Sequence, residues 1–225
     1  MKKNLKNIFF KLLFVLLVFV FALPLFACAK GVDYTEYVSE LRSNIFLAET
    51  DGFSLRIYSV KKESPYNSDG IAQPRNERTE IYLVAPQGDK NCQISFTVDG
   101  KTYDGEMSFD NVKAEYYYYC PSNTSVLNEI PIQITYGEKQ VEFMAKSVLN
   151  ADTLPPFDVL SLLLNAEKEL FDSLTDKYGF AGEIYIRLIY EDAPYYYVGV
   201  IDRNGKITAF LINATSGKIL AKRES

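Results

Sequence analysis

This chain of 225 residues contains many carboxylates but lacks another residue type that is common in active sites. The sequence has no histidine, so it offers no imidazole base for a serine or cysteine nucleophile and no imidazole ligand for zinc. Carboxylates are plentiful, and two of them held close together could hydrolyse a glycosidic bond. The predicted strands and turns carry Glu77, Glu80, Asp104, Glu106 and Asp110. Because nothing in the sequence pairs two of them, a cell-envelope hydrolase is only an alternative.

The segment Ser59-Val60-Lys61-Lys62 places a lysine three residues after a serine. This spacing serves a serine nucleophile when both residues lie on one side of a helix. Here the segment continues a predicted strand, in which residues three apart face opposite sides. The motif therefore predicts no active site. With no metal cluster among the cysteines either, the sequence predicts a protein that is not an enzyme and needs no cofactor or metal.

The N-terminal segment has the pattern of a secretory signal peptide over residues 1–27. Lysines near its start are followed by a continuously apolar stretch from Leu12 to Leu23. Such a segment directs export and is then removed. An uncleaved anchor is the alternative, but the segment reaches the roughly 20 residues of a spanning helix only by including Lys11 and Pro24.

The end of this segment, Leu25-Phe26-Ala27-Cys28, resembles the lipobox of bacterial lipoproteins. The resemblance implies cleavage before Cys28, attachment of a lipid to its thiol, and retention at the outer face of the cell membrane. Several acyl chains hold a protein far more firmly than one, because each buried CH₂ adds about 0.8 kcal/mol. If ordinary cleavage occurs near Ala27 or Ala29 instead, the protein is secreted.

The mature chain is acidic, because the signal peptide takes away four lysines and no acids and so moves the formal net charge from −5 to −9. An acidic chain without a basic run repels phosphate backbones, so nucleic acid is not expected as a partner. Outside the cell, Cys92 and Cys120 could form a disulfide. Two separately buried thiols are the equally open alternative.

Residues 28–149 are expected to form a lipid-anchored N-terminus with a short helix, followed by a β-rich domain. Asp33 to Glu49 has helical spacing and a capping box within the segment 28–52. From Phe53 the period changes to two, and residues 53–149 show about seven short strands separated by turns. Their number and spacing predict an antiparallel β-sandwich, immunoglobulin-like in general form. The longest predicted loop runs from Lys62 to Arg78.

Residues 150–156 contain paired prolines and are predicted to be a linker. The helical pattern from Phe157 to Tyr178 and the alternating strands after it predict an α+β domain over residues 157–225, with the helix packed on a small antiparallel sheet. The expected fold is therefore mainly β with an α+β C-terminal domain.

The strands of this C-terminal region resemble the PepSY family. The motif is a strand, a glycine-containing hairpin, a second strand and a turn into a final strand, matched here by Gly205, Asn213, Thr215, Gly217 and Lys218. The resemblance covers residues 157–225. It implies restraint of a peptidase, because related domains occur in protease propeptides.

Two runs of tyrosine are the unusual compositional feature: Tyr116, Tyr117, Tyr118 and Tyr119, and Tyr195, Tyr196 and Tyr197. Alternation places their rings on both faces of their strands. One face then belongs to the core, and the other either stiffens an exposed sheet or binds a sugar, a peptide or a protein. The sequence thus favours a non-enzymatic binding or regulatory lipoprotein whose partner is a peptidase or a cell-wall polysaccharide. A carbohydrate-binding surface protein is the main alternative.

Overall fold

The computed structural model describes residues 31–87 and 90–225. Within it, residues 33–225 form one compact unit. The predicted signal peptide and the lipidation site Cys28 lie outside the described residues. In the described part of the chain, no helix combines the length and the apolar character that crossing a membrane requires.

The compact unit is mainly β, as the alternation of apolar and polar residues predicts. A 3₁₀ turn, Tyr34–Tyr37, precedes the first strand, and two helices, α1 (Pro156–Ala166) and α2 (Lys168–Ser173), follow the ninth. The strands are β1 (Val38–Thr50), β2 (Phe53–Glu63), β3 (Arg75–Val84), β4 (Cys92–Val98), β5 (Lys101–Glu106), β6 (Ser108–Asp110), β7 (Glu115–Cys120), β8 (Glu129–Tyr136), β9 (Lys139–Ser147), β10 (Thr175–Asp176), β11 (Gly179–Phe180), β12 (Gly182–Tyr190), β13 (Pro194–Asp202), β14 (Ile207–Asn213) and β15 (Ile219–Glu224).

One sheet contains all of these strands except the β10–β11 hairpin. Its order is β15-β14-β13-β12-β1-β2-β3-β7-β6, and β1 also pairs with β9, which continues through β8 and β4 to β5. Neighbouring strands are antiparallel except β1 and β12, which run parallel. The antiparallel part forms a nearly closed, barrel-like sandwich.

Strand β1 joins the two parts of the sheet because it changes partner along its length. Its first residues pair with β12 as far as Arg42, whereas Phe46 and Leu47 pair with β9. Between these two parts, the register of β1 against β2 shifts between Arg42 and Asn44. A bulge of this kind bends a strand and increases its local twist. The same strand can therefore help to close the barrel and extend the sheet toward the C-terminal strands.

The barrel interior is filled by side chains that alternate inward along its strands. A one-residue shift would move every one of them to the solvent, so burial fixes the register. Burying one such side chain stabilises the fold by about 1.5–3 kcal/mol. The inward residues include Phe53, Leu55, Ile57, Ile81, Leu83, Ile94, Phe96, Ile132, Ile134, Val141 and Phe143.

Most strands predicted between residues 53 and 149 are confirmed, and β4 has the predicted bounds Cys92–Val98. The hairpin turn predicted at Asp99 and Gly100 is present, with φ of 52° and 75° at these two residues. The predicted loop from Lys62 to Arg78 is shorter, because β2 continues to Glu63 and β3 begins at Arg75.

The helix predicted from Asp33 to Glu49 is wrong. Asp33 accepts the Thr35 backbone N–H at 3.0 Å and caps only a single 3₁₀ turn, after which β1 begins at Val38. Residues on both faces of β1 are buried, so its period of two is hidden. Apolar residues on both faces of a strand also fit a helical spacing, and this caused the error.

The single helix predicted from Phe157 to Tyr178 is also wrong in extent. The backbone leaves helical geometry at Glu167, with φ −114° and ψ 35°, and α2 ends at Ser173. The β10–β11 hairpin follows directly. The carboxylate of Glu167 pairs with Lys222 on β15 at 2.7 Å, so the break between the helices is attached to the sheet edge.

The separate small sheet predicted for the C-terminal region is instead an extension of the main sheet. β12 to β15 are antiparallel neighbours, as predicted, but β12 pairs in parallel with β1 from Val38↔Ile184 to Arg42↔Arg187. The two partners are more than 140 residues apart in sequence. Parallel strands need a long crossover connection, so no local turn signal reveals this pairing.

The connection between β2 and β3, residues 64–74, is attached to the sheet through two buried carboxylates. Glu183 on β12 accepts hydrogen bonds from the Ser39 hydroxyl and from the Gly70 backbone N–H, both at 3.0 Å. Glu63 accepts the Gln73 backbone N–H. Burial, together with the nearby Glu183 carboxylate, raises the pKa of Glu63. These bonds hold the loop against the start of β12.

Gly70 is the residue at which this loop comes closest to the sheet. Its φ is +77°, in the left-handed region that favours glycine. A Cβ atom at this position would lie 2.5 Å from the backbone oxygen of Asp202. A glycine is therefore required here for both conformational and packing reasons.

Candidate functional site

The four consecutive tyrosines of β7 point alternately into and out of the barrel. Tyr116 is buried, and its hydroxyl both donates to the backbone oxygen and accepts from the backbone N–H of Lys90, each at 2.9 Å. Tyr118 packs against the core. Tyr117 and Tyr119 lie on the outer face, with ring centroids 5.2 Å apart. The prediction that these rings occupy both faces is confirmed.

The second tyrosine run does not join the first. Tyr196 is buried, and its hydroxyl donates to the backbone oxygen of Leu154 at 2.9 Å. Tyr195 and Tyr197 lie on the opposite face of β13, where the ring of Tyr197 is 5.7 Å from that of Tyr185. In the sheet, β12, β1, β2 and β3 separate β13 from β7. The predicted tyrosine surface is therefore divided between two places.

The outward tyrosines of β7 belong to a larger surface, which we call the tyrosine–arginine face. Strand register builds it, since Arg56 lies directly opposite Tyr82 and Tyr82 lies opposite Tyr117. Residues paired in this way have Cβ atoms about 4.5–5.5 Å apart. The face consists of Arg42, Arg56, Tyr58, Arg78, Tyr82, Tyr117 and Tyr119, which come from β1, β2, β3 and β7.

Guanidinium groups lie over the tyrosine rings of this face. The Cζ atom of Arg42 is 4.0 Å from the centroid of the Tyr58 ring, and that of Arg78 is 5.1 Å from the centroid of Tyr119. Arg56 lies 5.7 Å from the centroid of Tyr58. Each contact of this kind contributes about 0.5–1 kcal/mol at an exposed site. The contacts fix the positions of the arginines.

The carboxylate of Glu80 is buried beneath the tyrosine–arginine face and stabilises it. It forms ion pairs with Lys62 at 3.1 Å and with Arg78, and it accepts the Tyr82 hydroxyl at 3.1 Å. Burial opposes its ionisation, but the two cations outweigh burial, so the pKa of Glu80 lies below its ordinary value. Burial, the Tyr119 hydroxyl and this carboxylate raise the pKa of Tyr82. Glu80 is therefore charged and Tyr82 neutral near pH 7.

The charges of the face are layered, with carboxylates below and cations above. In the Arg78–Glu80 pair the arginine side chain is 29% exposed and the glutamate 6%. In the Arg56–Glu115 pair, whose N–O distance is 3.1 Å, the values are 46% and 9%. The layer that meets solvent is therefore cationic and aromatic, although the chain as a whole has a net charge of −5. Such a layer attracts anionic groups.

The rings of the face are tilted rather than coplanar. The angle between ring planes is 56° for Tyr58 and Tyr82, 69° for Tyr82 and Tyr119, and 34° for Tyr117 and Tyr119. A flat platform for a sugar ring needs exposed coplanar rings. Tilted rings with accessible hydroxyl groups are better matched to the irregular surface of a protein.

Cys92 and Cys120 are free thiols, each buried among its own neighbours. The Cys92 thiol contacts the Met107 sulfur at 3.6 Å, and Cys120 Sγ lies 3.2 Å from the Ser122 hydroxyl oxygen. Burial raises the pKa of Cys92 to about 12. The sequence leaves a disulfide and two buried thiols as alternatives, and the structure contains the buried thiols.

The carboxylates considered for hydrolysis lie in different settings. Glu77 pairs with Lys61 at 3.6 Å on the surface, and the charge of Glu80 is balanced by Lys62 and Arg78 within the tyrosine–arginine face. Asp110 accepts backbone N–H groups in a turn, while Asp104 and Glu106 are exposed on β5. Among residues 31–87 and 90–225, no group of three potential ligands could hold a metal ion.

Five of the seven residues of the face were not predicted from the sequence. Arg56 and Tyr58 alternate in β2, and Arg78 and Tyr82 lie on one side of β3. This alternation identifies residues on one face of each strand. It does not show that β2 lies between β1 and β3, or that β3 lies beside β7, and those neighbours create the face.

Comparison of the chain with protein-family models, with curated proteins and with solved structures gave no match. The fold and the surface together define the class as a mainly β protein with a cationic, aromatic face. Function is therefore argued from the residues of that face.

Proposed function

We propose that this chain is a non-enzymatic, lipid-anchored surface protein that binds or regulates an acidic protein partner through its tyrosine–arginine face. The observation that supports this most strongly is the charge layering, in which Glu80 and Glu115 are buried beneath Arg78 and Arg56. Tyrosine and arginine are also the residue types that most often dominate binding energy at protein interfaces.

A protein partner is favoured over a polysaccharide because of the ring geometry. The exposed Tyr119 ring is tilted by 69° from its neighbour Tyr82, so the two do not form a platform for a sugar ring. Arginine, by contrast, matches the planar carboxylates of aspartate and glutamate through paired N–H donors. An acidic protein surface satisfies both the charge and the shape of the face.

The location at the outer face of the cell membrane is proposed from the N-terminal sequence. Residues 1–27 have the signal-peptide pattern, and Cys28 follows the lipobox-like stretch. Mass analysis that found an unmodified Cys28 at the mature N-terminus would contradict the lipid anchor and leave export intact.

We also propose that the barrel-like part of the sheet is immunoglobulin-like in general form and that residues 157–225 are PepSY-like. The motif turn supports the second part, since Asn213 Oδ1 accepts the backbone N–H groups of Thr215 and Ser216 at 3.1 and 2.8 Å, and Gly217 has φ +69°. Because the resemblance implies restraint of a peptidase, an envelope peptidase is the first partner to test.

The experiment measures binding of the full-length chain, in detergent, to immobilised poly-L-glutamate, heparin and dextran. These probes represent an acidic protein, an anionic polysaccharide and a neutral polysaccharide. We expect binding to poly-L-glutamate that weakens between about 50 and 300 mM salt, because exposed charges are screened. Arg56→Gln should reduce that binding about tenfold, whereas Arg223→Gln, at an exposed arginine of β15, should not.

A second pair of variants tests the aromatic part of the face. Tyr119→Ala should weaken binding, whereas Tyr178→Ala, at a tyrosine that is exposed and lies outside the face, should leave it unchanged. Binding of heparin without poly-L-glutamate would assign the face to an anionic polysaccharide and contradict the proposal. Binding of dextran, or of none of the three probes, would contradict it as well.

A further inference from the structure

A cavity of about 270 Å³ lies at the bulge of β1. It is bounded by β1, β2 and β3, by the segment of residues 121–128, and by the first turn of α1. Its apolar wall includes Leu41 and Phe157. This volume is just below the roughly 300–1,000 Å³ of pockets that hold drug-sized ligands, so it suits one amino-acid-sized group.

Two serine hydroxyls in the cavity wall have no partner in the described part of the chain. Ser59 is 4% exposed, lines the cavity, and makes no side-chain hydrogen bond to residues 31–87 or 90–225. Ser43, at the bulge itself, also lines the cavity without such a bond. Neither oxygen is fully buried in the described residues, so each hydroxyl can donate to a ligand in the cavity. Two such donors around one cavity are therefore suited to a polar ligand.

The cavity wall also carries excess positive charge. Arg75 lines it, and its Nη1 is buried without a hydrogen-bond partner in the described residues, while Nη2 donates to the Thr35 backbone oxygen at 3.3 Å. Lys61 lines it as well and has only the half-exposed Glu77, at 3.6 Å, as an ion-pair partner. Lys61, Arg75 and Glu77 give the lining one net positive charge, which favours an anionic ligand, while the Glu63 carboxylate lies near Arg75 outside the lining.

We propose that this cavity binds a small organic carboxylate that carries an apolar group. The carboxylate pairs with Lys61 and Arg75, the Ser59 hydroxyl donates to it, and the apolar group packs on the wall of Leu41 and Phe157. A free amino acid and the C-terminal residue of a peptide share this chemistry. The site does not depend on the tyrosine–arginine face, because Arg56 and Tyr58 project from the outer face of β2 whereas Ser59 is buried.

The test is calorimetric titration of the full-length chain, in detergent, with N-acetyl-leucine, leucine and leucinamide. We expect N-acetyl-leucine, leucine or both to bind, and leucinamide, which lacks the carboxylate, not to bind. Stronger binding of N-acetyl-leucine indicates a peptide C-terminus, and stronger binding of leucine indicates a free amino acid. Failure of both carboxylates, or equal binding of leucinamide, would overturn the proposal.

Two variants test whether the ligand binds in this cavity. Ser59→Ala should weaken binding about 3- to 10-fold through loss of one hydrogen bond. Its melting temperature should stay equal or rise, because the lost hydroxyl has no protein partner, so a weaker titration cannot be attributed to unfolding. Ser54→Ala, at an exposed serine on the same strand, is the matched control and should bind like the wild type. If Ser59→Ala binds as tightly as Ser54→Ala, the cavity is not the site and the proposal fails.

Discussion

The hydroxyl oxygens of Tyr82 and Tyr119 lie 3.2 Å apart on adjacent strands of the tyrosine–arginine face. Tyr82 donates to the Glu80 carboxylate at 3.1 Å, which leaves its oxygen to accept the hydrogen of Tyr119. The exposed ring of Tyr119 is thus connected through Tyr82 to a buried charge. Such a chain of bonds holds both rings in fixed orientations, and a preorganised surface loses less entropy when it binds.

Glu80→Gln should lower the free energy of unfolding by about 1–3 kcal/mol at pH 7, because Lys62 and Arg78 lose their buried counter-charge. The folded-state pKa of Glu80 lies below its ordinary value of 4.5, so its stabilising effect is present above pH 4.5 and is lost as the pH falls through the lowered value. The wild type should therefore approach the variant in stability as the pH falls below 4.5. Urea unfolding at pH 7 and at a series of pH values below 4.5 measures both differences.

Glu77→Gln is the control for this experiment, since Glu77 forms a surface pair with Lys61 in which both side chains are about half exposed. An exposed pair contributes at most about 1 kcal/mol. If Glu80→Gln costs no more than Glu77→Gln, Glu80 does not stabilise the face.

Gly70→Ala should destabilise the protein more than Gly100→Ala does. Both glycines have left-handed backbones, with φ of +77° and +75°. Because alanine disfavours this conformation, both variants should lose about 1–2 kcal/mol in the free energy of unfolding. Only at Gly70 does the added Cβ meet the backbone of Asp202, at 2.5 Å, and this overpacking should add about 1–3 kcal/mol. Urea denaturation gives the difference, and equal losses would show that the 64–74 loop is not packed against the β13–β14 turn.

Neither Cys92 nor Cys120 should react with a maleimide at pH 8 while the protein is folded. Both thiols are buried, and the pKa of Cys92 is raised to about 12, so the reactive thiolate is scarce. In urea both should be labelled, as mass spectrometry of the digested protein would record. Rapid labelling of the folded protein, or a peptide in which Cys92 is joined to Cys120, would show that the thiols are not held as the structure has them.

The parts of the fold that could be predicted from sequence are those whose signals are local. β4 and its hairpin with β5 were predicted because one face of β4 is buried, the other is exposed, and Asp99-Gly100 marks the turn. The sequence of β1 predicts a helix because residues on both of its faces are apolar and buried. Its parallel pairing with β12 depends on residues far apart in the chain, and no short motif encodes it.

The sequence predicts the candidate site only at its consecutive tyrosines. Tyr117 and Tyr119 belong to the face, but Tyr116 is a core residue. Arg56 and Tyr82 were not predicted, because their importance comes from lying opposite each other on neighbouring strands. Cross-strand register is a property of the folded sheet, and the sequence constrains it only through which side of each strand is apolar.

Site-specific photo-crosslinking in cells tests whether a protein occupies the tyrosine–arginine face. The photoreactive residue p-benzoylphenylalanine would replace Tyr119 in one sample and Tyr178, which is exposed outside the face, in another. We predict a crosslinked protein with an acidic surface from position 119, its loss when Arg56→Gln is added, and no equivalent product from position 178. No product from position 119, or the same products from both positions, would contradict the account.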